Sequence, residues 1–463
     1  MARTQKTITP VDGSIYVERE IASAATIAAC LSAARKAAAA WRRVPVAERA
    51  EIIGRATDAF VARKAEIAEE ITRQIGRPIG QSPGEVRGFE ERARYMTAIA
   101  AETLADLRVG DKPGFTRFIR REPLGVVFVV APWNYPYLTA VNAVIPALLA
   151  GNAVILKHSA QTPLCAERFA QAFKAAGLPR AVFQFLHMGH DDTTRLIGSD
   201  GVDFVAFTGS VEGGHAVAAA ASGRFIGAGL ELGGCDPAYV RPDANLAHAI
   251  ENLVDGAFFN SGQSCCGIQR LYVHADVFKP FIEGVVELTK KYRLGDPTDP
   301  GVNLGPVVRA SAADTIRKQI ARAVRAGAKA LIDPKPFKAA RKGTAYLAPQ
   351  VLTVNSNRNP IMQDECFGPV VGVMKVRSDD EAVRLMNDNA FGLTAAVWTA
   401  DEAAATRLGE RIETGTWFMN RCDYLDPALA WTGVKDSGRG CTLSRVGYEH
   451  LTRPKSFHLR TAI

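Results

Sequence analysis

The segment Phe258-Phe259-Asn260-Ser261-Gly262-Gln263-Ser264-Cys265-Cys266 sets a thiol behind a tight Gly-Gln turn. A cysteine held where backbone N–H groups or a helix N-terminus favour its anion becomes a thiolate, the attacking species of covalent catalysis. An inert small hydrophobe is the plainer account of any single one of the eight cysteines. Adjacent thiols also raise metal ligation, but no histidine or further cysteine stands at ligand spacing, so no metal is expected. Thirty-four residues earlier, Glu231 lies inside Gly229-Leu230-Glu231-Leu232-Gly233-Gly234. An acid isolated in so apolar a stretch is poorly placed for a surface salt bridge, and burial would raise its pKa towards the range of a general base. A structural carboxylate capping backbone amides is the competing account.

Two further places suit an anionic ligand. Phe207-Thr208-Gly209-Ser210 reads as a strand, a turn and a helix start. Unpaired N–H groups and the helix dipole favour phosphate there, Gly209 permits close backbone approach, and Ser210 can cap the helix. A plain Gly-Ser turn accounts for the same residues. Leu156-Lys157-His158-Ser159 closes another strand, where the Lys157 ammonium and the Ser159 hydroxyl could hold ribose or phosphate oxygens. A solvated lysine leaving a strand is the alternative.

These groups need a rigid frame, and the texture of the chain supplies one. Residues 22–104 carry apolar side chains at helical spacing, as in AERAEIIGRATDAFVARKAEIAEEITRQI, and predict a run of amphipathic helices. Short apolar strands alternating with helices follow: GVVFVVAP, NAVILKHS, AVFQFLH and DFVAFTGS, then a second series from PAYV to AAVWTA. That alternation predicts an α/β protein with two doubly wound parallel-sheet domains. FTRFIRREP and the tail LTRPKSFHLR read as isolated strands able to build a small arm for subunit contacts. With 463 residues, 47% of them hydrophobic, the chain can bury a large core. The net charge of +8 is dispersed along the sequence, so a nucleic-acid partner is not expected. No apolar run of membrane-spanning length or signal-peptide pattern is present, and reduced thiols in a cytoplasmic protein are expected.

Taken in order, these motifs resemble the aldehyde dehydrogenase superfamily over nearly the whole chain. The resemblance is carried by Pro132-Trp133-Asn134, Lys157, Phe207-Thr208-Gly209-Ser210, Glu231-Leu232-Gly233-Gly234 and Gly262-Gln263-Ser264-Cys265. Asp364-Glu365-Cys366-Phe367-Gly368-Pro369, Asn387, Phe391-Gly392-Leu393 and Phe418-Met419-Asn420 complete it. It implies a dinucleotide-binding domain (1–104 and 124–232), a catalytic domain (233–440) and a β oligomerisation arm (105–123 and 441–463), assembled as a homodimer or homotetramer. It also implies that Cys265 attacks an aldehyde, that Asn134 and the Cys265 N–H hold the oxyanion, and that hydride passes to NAD or NADP. Glu231 would then activate the hydrolytic water; relatives that transfer the acyl group to coenzyme A typically lack this glutamate. Lys157 and Glu365 would hold ribose hydroxyls, Gly209, Ser210 and Trp133 would surround the pyrophosphate, and Phe367 would steady the nicotinamide.

Departures from the family pattern bear on specificity. Strongly NAD-selective relatives commonly carry a glutamate three residues after the lysine; here Ala160 stands there, so NADP should at least be tolerated. Tyr135, Leu138, Trp417, Tyr424 and Trp431 suggest an aromatic, partly apolar mouth for the aldehyde. Relatives acting on succinate semialdehyde often carry an arginine eight residues after the oxyanion asparagine; Asn142 occupies that place, which disfavours a carboxylated substrate unless Arg421 supplies the charge. Cys266 reads as a packed neighbour of Cys265, with an oxidative disulfide or sulfenamide as the alternative. A catalytically silent scaffold is the contrasting class, and the retention of Cys265, Glu231 and Asn134 argues against it.

Overall fold

The stretch Val126–Ala131 is buried at every residue, as a strand covered on both faces of a parallel sheet must be. In the computed structural model, which describes residues 3–463, it lies inside a six-stranded sheet. The order across that sheet is Gly438–Arg439, Gly227–Glu231, Phe204–Thr208, Val126–Ala131, Ala153–His158, Phe183–Phe185, all parallel except the first. The winding reverses between Val126–Ala131 and Phe204–Thr208. Loops carrying Asn134 and Gly209 therefore open side by side at the carboxyl edge, where such sheets bind ligands.

A second sheet runs Lys329–Ala330, Gln350–Val354, Val370–Val376, Ile268–His274, Asp236–Val240, Thr394–Trp398, Thr416–Met419, with only the short first strand antiparallel. The chain crosses between the sheets through Leu232, Gly233, Gly234 and Cys235, so Glu231 ends a strand of one and Asp236 begins a strand of the other. Cys265 precedes the amino end of Ile268–His274. The two edges that face each other thus carry Asn134, Glu231 and Cys265.

The two isolated strands pair as expected: Phe115–Pro123 lies antiparallel to Thr452–Arg460 along its whole length, and Phe118 stacks on Phe457 at 4.4 Å. Residues 438–451, which the sequence reading divides at 440, return to the first sheet. Gly438–Arg439 pairs with Glu231 and Leu230, and the hydroxyl of Tyr448, on the helix Ser444–Glu449, donates to the Met96 carbonyl at 2.6 Å. The helical region comprises Ala24–Trp41, Val46–Val61, Lys64–Ile75 and Pro83–Thr103. Ahead of it stands a hairpin, Thr4–Ile8 with Ile15–Glu20, too short and polar to read from sequence. It clasps the loop after Lys157: the Thr7 hydroxyl donates to the Ala160 carbonyl at 2.8 Å, and the Gln161 amide to the Ile8 carbonyl at 2.9 Å. On its far side the Tyr346 hydroxyl donates to the Val11 carbonyl at 2.9 Å. All eight cysteines are free thiols, and among the described residues no helix is long and apolar enough to cross a membrane.

One buried ion pair ties these parts together. Arg77 and Glu85, 1% and 0% exposed, meet at 2.5 Å. The other Glu85 oxygen accepts the backbone N–H groups of Tyr137 and Leu138 at 2.9 and 3.0 Å, satisfying orphan donors of the helix Pro136–Ala150. Arg77 also donates to the Asn134 carbonyl at 2.5 Å and to Asn260 Oδ1 at 3.1 Å. Removing one member of a buried pair leaves an uncompensated charge. Arg77→Met should therefore lower the unfolding free energy in urea by about 3–5 kcal/mol; a loss below about 1 kcal/mol would mean the pair is dispensable.

Candidate active site

Residues Asn260, Ser261 and Gly262 take φ of 50°, 57° and 72°, three left-handed positions in succession. Asparagine tolerates this conformation and is held in it here, because its amide donates to the carbonyls of Asn134 and Gln263 at 3.1 and 3.2 Å. At 262 only glycine fits, since a Cβ would come within 2.1 Å of the Gly368 carbonyl oxygen. Gln263 closes the turn, accepting the Val308 N–H at 2.7 Å and donating to the Asn260 carbonyl at 3.0 Å. The result is a run, 260–273, in which every residue is buried except Cys265.

Cys265 opens on a cavity of about 300 Å³ whose walls include Glu231, Tyr135, Leu138, Asn142 and Trp431. Asn134 is buried beside it, with one amide hydrogen directed at the Gln263 carbonyl at 3.3 Å; an amide has a second to give. Glu231 accepts the hydroxyls of Thr442 and Thr208 at 2.5 and 3.2 Å. Burial pushes its carboxyl above the usual range, while those two hydrogen bonds and the charge of Arg92 pull it back. Cys266, on the same cavity wall, is held by a carboxylate: its thiol donates to Asp423 Oδ1 at 2.9 Å, and Ser264 donates to the same oxygen at 2.9 Å. Asp423 thereby grips both neighbours of Cys265. Its own carboxyl is raised by burial, against the hydrogen bonds from Cys266 and Ser264.

A second cleft, of about 390 Å³, contains Trp133, Gln263, Glu365 and Phe367, with the two rings edge to face at 5.7 Å. Glu365 accepts the Gly234 N–H at 3.1 Å through one oxygen and leaves the other without a protein donor, free for a hydroxyl. Burial pushes its carboxyl up to about 7. At the carboxyl edge of the first sheet Ser210 caps the helix Val211–Ala221, accepting the Gly213 N–H at 3.1 Å. Lys157 is buried there, and burial lowers its pKa. Burial also holds the next residue, His158, neutral, with its pKa lowered to about 4. Because its Nδ1 accepts the Ser159 N–H at 3.0 Å, the proton sits on Nε2, which donates to the Pro136 carbonyl at 3.0 Å. Ser159 Oγ accepts the Gln161 N–H at 3.2 Å. An ammonium and a helix start along the sheet edge, with the Glu365 carboxylate in the separate cleft, fit the phosphates and hydroxyls of a dinucleotide.

The fold thus brings Cys265, Glu231, Tyr135, Leu138, Asn142, Cys266 and Trp431 to one cavity, with Asn134 alongside. Lys157, Ser159, Gly209 and Ser210 lie along the sheet edge, apart from the Glu365 cleft. Arg421 is not part of the cavity wall; it is exposed, its guanidinium lying 3.5 Å from the centre of the Tyr424 ring. Nor does Asn142 leave the cavity without a cation. Its Oδ1 accepts from Arg92, which enters from the helix Pro83–Thr103. Sequence reasoning missed Arg92, Arg77, Glu85, Thr442 and Asp423, because a charged or hydroxyl residue far along the chain gives no local sign of what it will face.

Known proteins resemble this chain over nearly its whole length. Residues 1–457 match the sequence profile of the aldehyde dehydrogenase family. A succinate-semialdehyde dehydrogenase [NADP(+)] of Mycobacterium avium (strain 104) is 34% identical over 97% of this chain and 95% of its own. Betaine aldehyde dehydrogenase 2 of Rhizobium meliloti (strain 1021) is 32% identical over 97% and 92%. The crystal structure of succinic semialdehyde dehydrogenase from Streptococcus pyogenes in complex with NADP+ superposes with a TM-score of 0.94 at 26% identity, covering 98% of this chain and 100% of that one. The chain belongs to the aldehyde dehydrogenase family and is an oxidoreductase that oxidises an aldehyde with NAD or NADP.

Proposed function

We propose that this enzyme converts an aldehyde to its carboxylic acid by hydrolysis of a thioester formed on Cys265. The observation that carries the reading is the single accessible thiol of the 260–273 run, open to the cavity that also exposes Glu231. The Cys265 thiolate attacks the aldehyde carbon, and the carbonyl π pair moves onto oxygen. The free N–H of the Asn134 amide and the backbone N–H of Cys265 hold that oxyanion. Collapse of the oxyanion re-forms the C=O bond and expels the former aldehyde hydrogen with its electron pair, leaving the thioester; bound NAD or NADP supplies the acceptor of that pair. Glu231 takes a proton from water, whose oxygen adds to the thioester carbon, and the thiolate leaves as the acid forms. Glu365, Trp133 and Phe367 would hold one end of the dinucleotide, and Lys157, Ser159, Gly209 and Ser210 the other.

The remaining assignments follow the architecture. Residues 3–104 and 124–232, joined by 438–451, form the dinucleotide-binding part and 233–437 the catalytic part, with 105–123 and 452–463 as an arm that joins copies into a homodimer or homotetramer. The outer edge of Thr452–Arg460 supports that role for the arm. The names of relatives leave the substrate's charge open, since succinate semialdehyde carries a carboxylate and betaine aldehyde a quaternary ammonium.

Absorbance at 340 nm tests the mechanism. Cys265→Ser should nearly abolish formation of reduced cofactor, and Asn134→Ala should slow it by roughly 10²- to 10³-fold. Glu231→Gln should give one burst of reduced cofactor per site and then stall; steady turnover at the parent rate would assign hydrolysis to another base. Water activation needs the Glu231 carboxylate, and burial raises its pKa, so deacylation should quicken as pH climbs through that raised value. The limb should vanish from the pH profile of Glu231→Gln. Replacing Ala160 with Glu should depress kcat/KM for NADP and spare that for NAD, because the new carboxylate would repel a 2′-phosphate.

A further inference from the structure

We propose that the aldehyde cavity selects substrates bearing a carboxylate remote from the carbonyl, and that Arg92 receives it. The inference rests on the reading of Cys265 as the nucleophile and names the substrate class of that site. Arg92 is 7% exposed and shares the cavity wall with Cys265 and Glu231. Its Nη1 is fixed by the carbonyl of Leu138 at 2.6 Å and by Asn142 Oδ1 at 3.2 Å. Nε and Nη2, the edge that matches both oxygens of a carboxylate, have no protein acceptor among the described residues, and neither is sealed from the cavity.

Arg77, buried nearby, is paired with Glu85, whereas among the described residues no carboxylate lies within ion-pair distance of Arg92. Burial lowers its pKa, yet a guanidinium stays protonated in proteins, so a buried positive charge remains without a counter-ion. The acids around it are already engaged. Thr442 and Thr208 occupy Glu231, Ser264 and Cys266 occupy Asp423, and the Tyr424 hydroxyl donates to Glu91 at 2.6 Å.

The approach to Arg92 is built for a ligand. Gly84 and Gly88 precede it at four-residue intervals on the same helix and line the cavity, with Leu138 packed closely against Gly88, and Arg87 lines the mouth. Leu138, Leu393, Leu425 and Trp431 supply apolar wall between the two ends, suited to methylene groups. A planar fork favours carboxylate; a phosphate would draw on the same charge, so the experiment separates them.

The test compares 4-oxobutanoate, butanal and glyceraldehyde 3-phosphate with the purified enzyme at 340 nm. It is joined by calorimetric titration of succinate into Cys265→Ser. The expected result is a kcat/KM for 4-oxobutanoate at least about a hundredfold above that for butanal, with the phosphate ester poorer than the carboxylate. Arg92→Gln, which can still donate to Leu138, should bring that ratio to within about threefold of unity through KM, and Arg92→Lys should restore part of it. Butanal oxidised as well as 4-oxobutanoate, a preference for the phosphate ester, or a preference unchanged in Arg92→Gln each overturns the inference and leaves the thioester reading intact. No oxidation of any aldehyde, with succinate still bound in an Arg92-dependent way, overturns the thioester reading instead.

Discussion

Three remote parts of the chain meet at a guanidinium that water does not reach. Arg77 sits between the helices Lys64–Ile75 and Pro83–Thr103, and its donors run to Glu85, to the Asn134 carbonyl and to the Asn260 side chain. Each partner has a second duty. Glu85 caps the helix that follows Asn134, and Asn260 holds the turn that presents Cys265. The distance between Asn134 and Cys265 is therefore set by a charge network beneath them, where displacement of one member leaves the others unsatisfied in a low dielectric. Such a network suits a site that must be held to a fraction of an ångström during bond making.

Around that point the architecture divides the work. The first sheet presents its carboxyl edge, with a capped helix start and a lysine for an anionic ligand. The second presents the amino end of a strand, where a left-handed turn turns a thiol outward. The crossing between them is short, so Glu231 belongs to the first sheet by its backbone and shares a cavity with Cys265 of the second. Thr208 and Thr442 hold its oxygens, the latter from a segment that returns to the first sheet after the second is complete. Burial raises the carboxyls of both Glu231 and Asp423, against the hydrogen bonds that each accepts.

Much of this was legible in the amino-acid sequence where physics is local. Continuous apolar runs such as VVFVVA fit strands covered on both faces, and Gly262-Gln263-Ser264-Cys265 concentrates turn and thiol within four residues. Glu231 stood out because its neighbours are apolar. The rest depends on long-range placement. Helical periodicity shows which face of Pro83–Thr103 is inward, but an arginine on that face reads the same whether it snorkels to water or faces a cavity. The charge sought at 142 is supplied from fifty residues upstream, and Asn142 serves to orient it. The amino-terminal hairpin escaped notice because its strands, TQKTI and IYVERE, are short and mostly polar.

That hairpin has a bearing on how the nucleotide edge could be altered. The backbone on either side of position 160 is stitched to it, by Thr7 at the carbonyl and by Gln161 at Ile8, and Gln161 is further anchored to Gln74 at 2.6 Å. The side chain at 160 takes no part in this stitching. Exchanging it repaints the surface a dinucleotide would meet, whereas inserting or deleting a residue there would tear a seam that also runs, through Tyr346 and Val11, to the opposite half of the molecule.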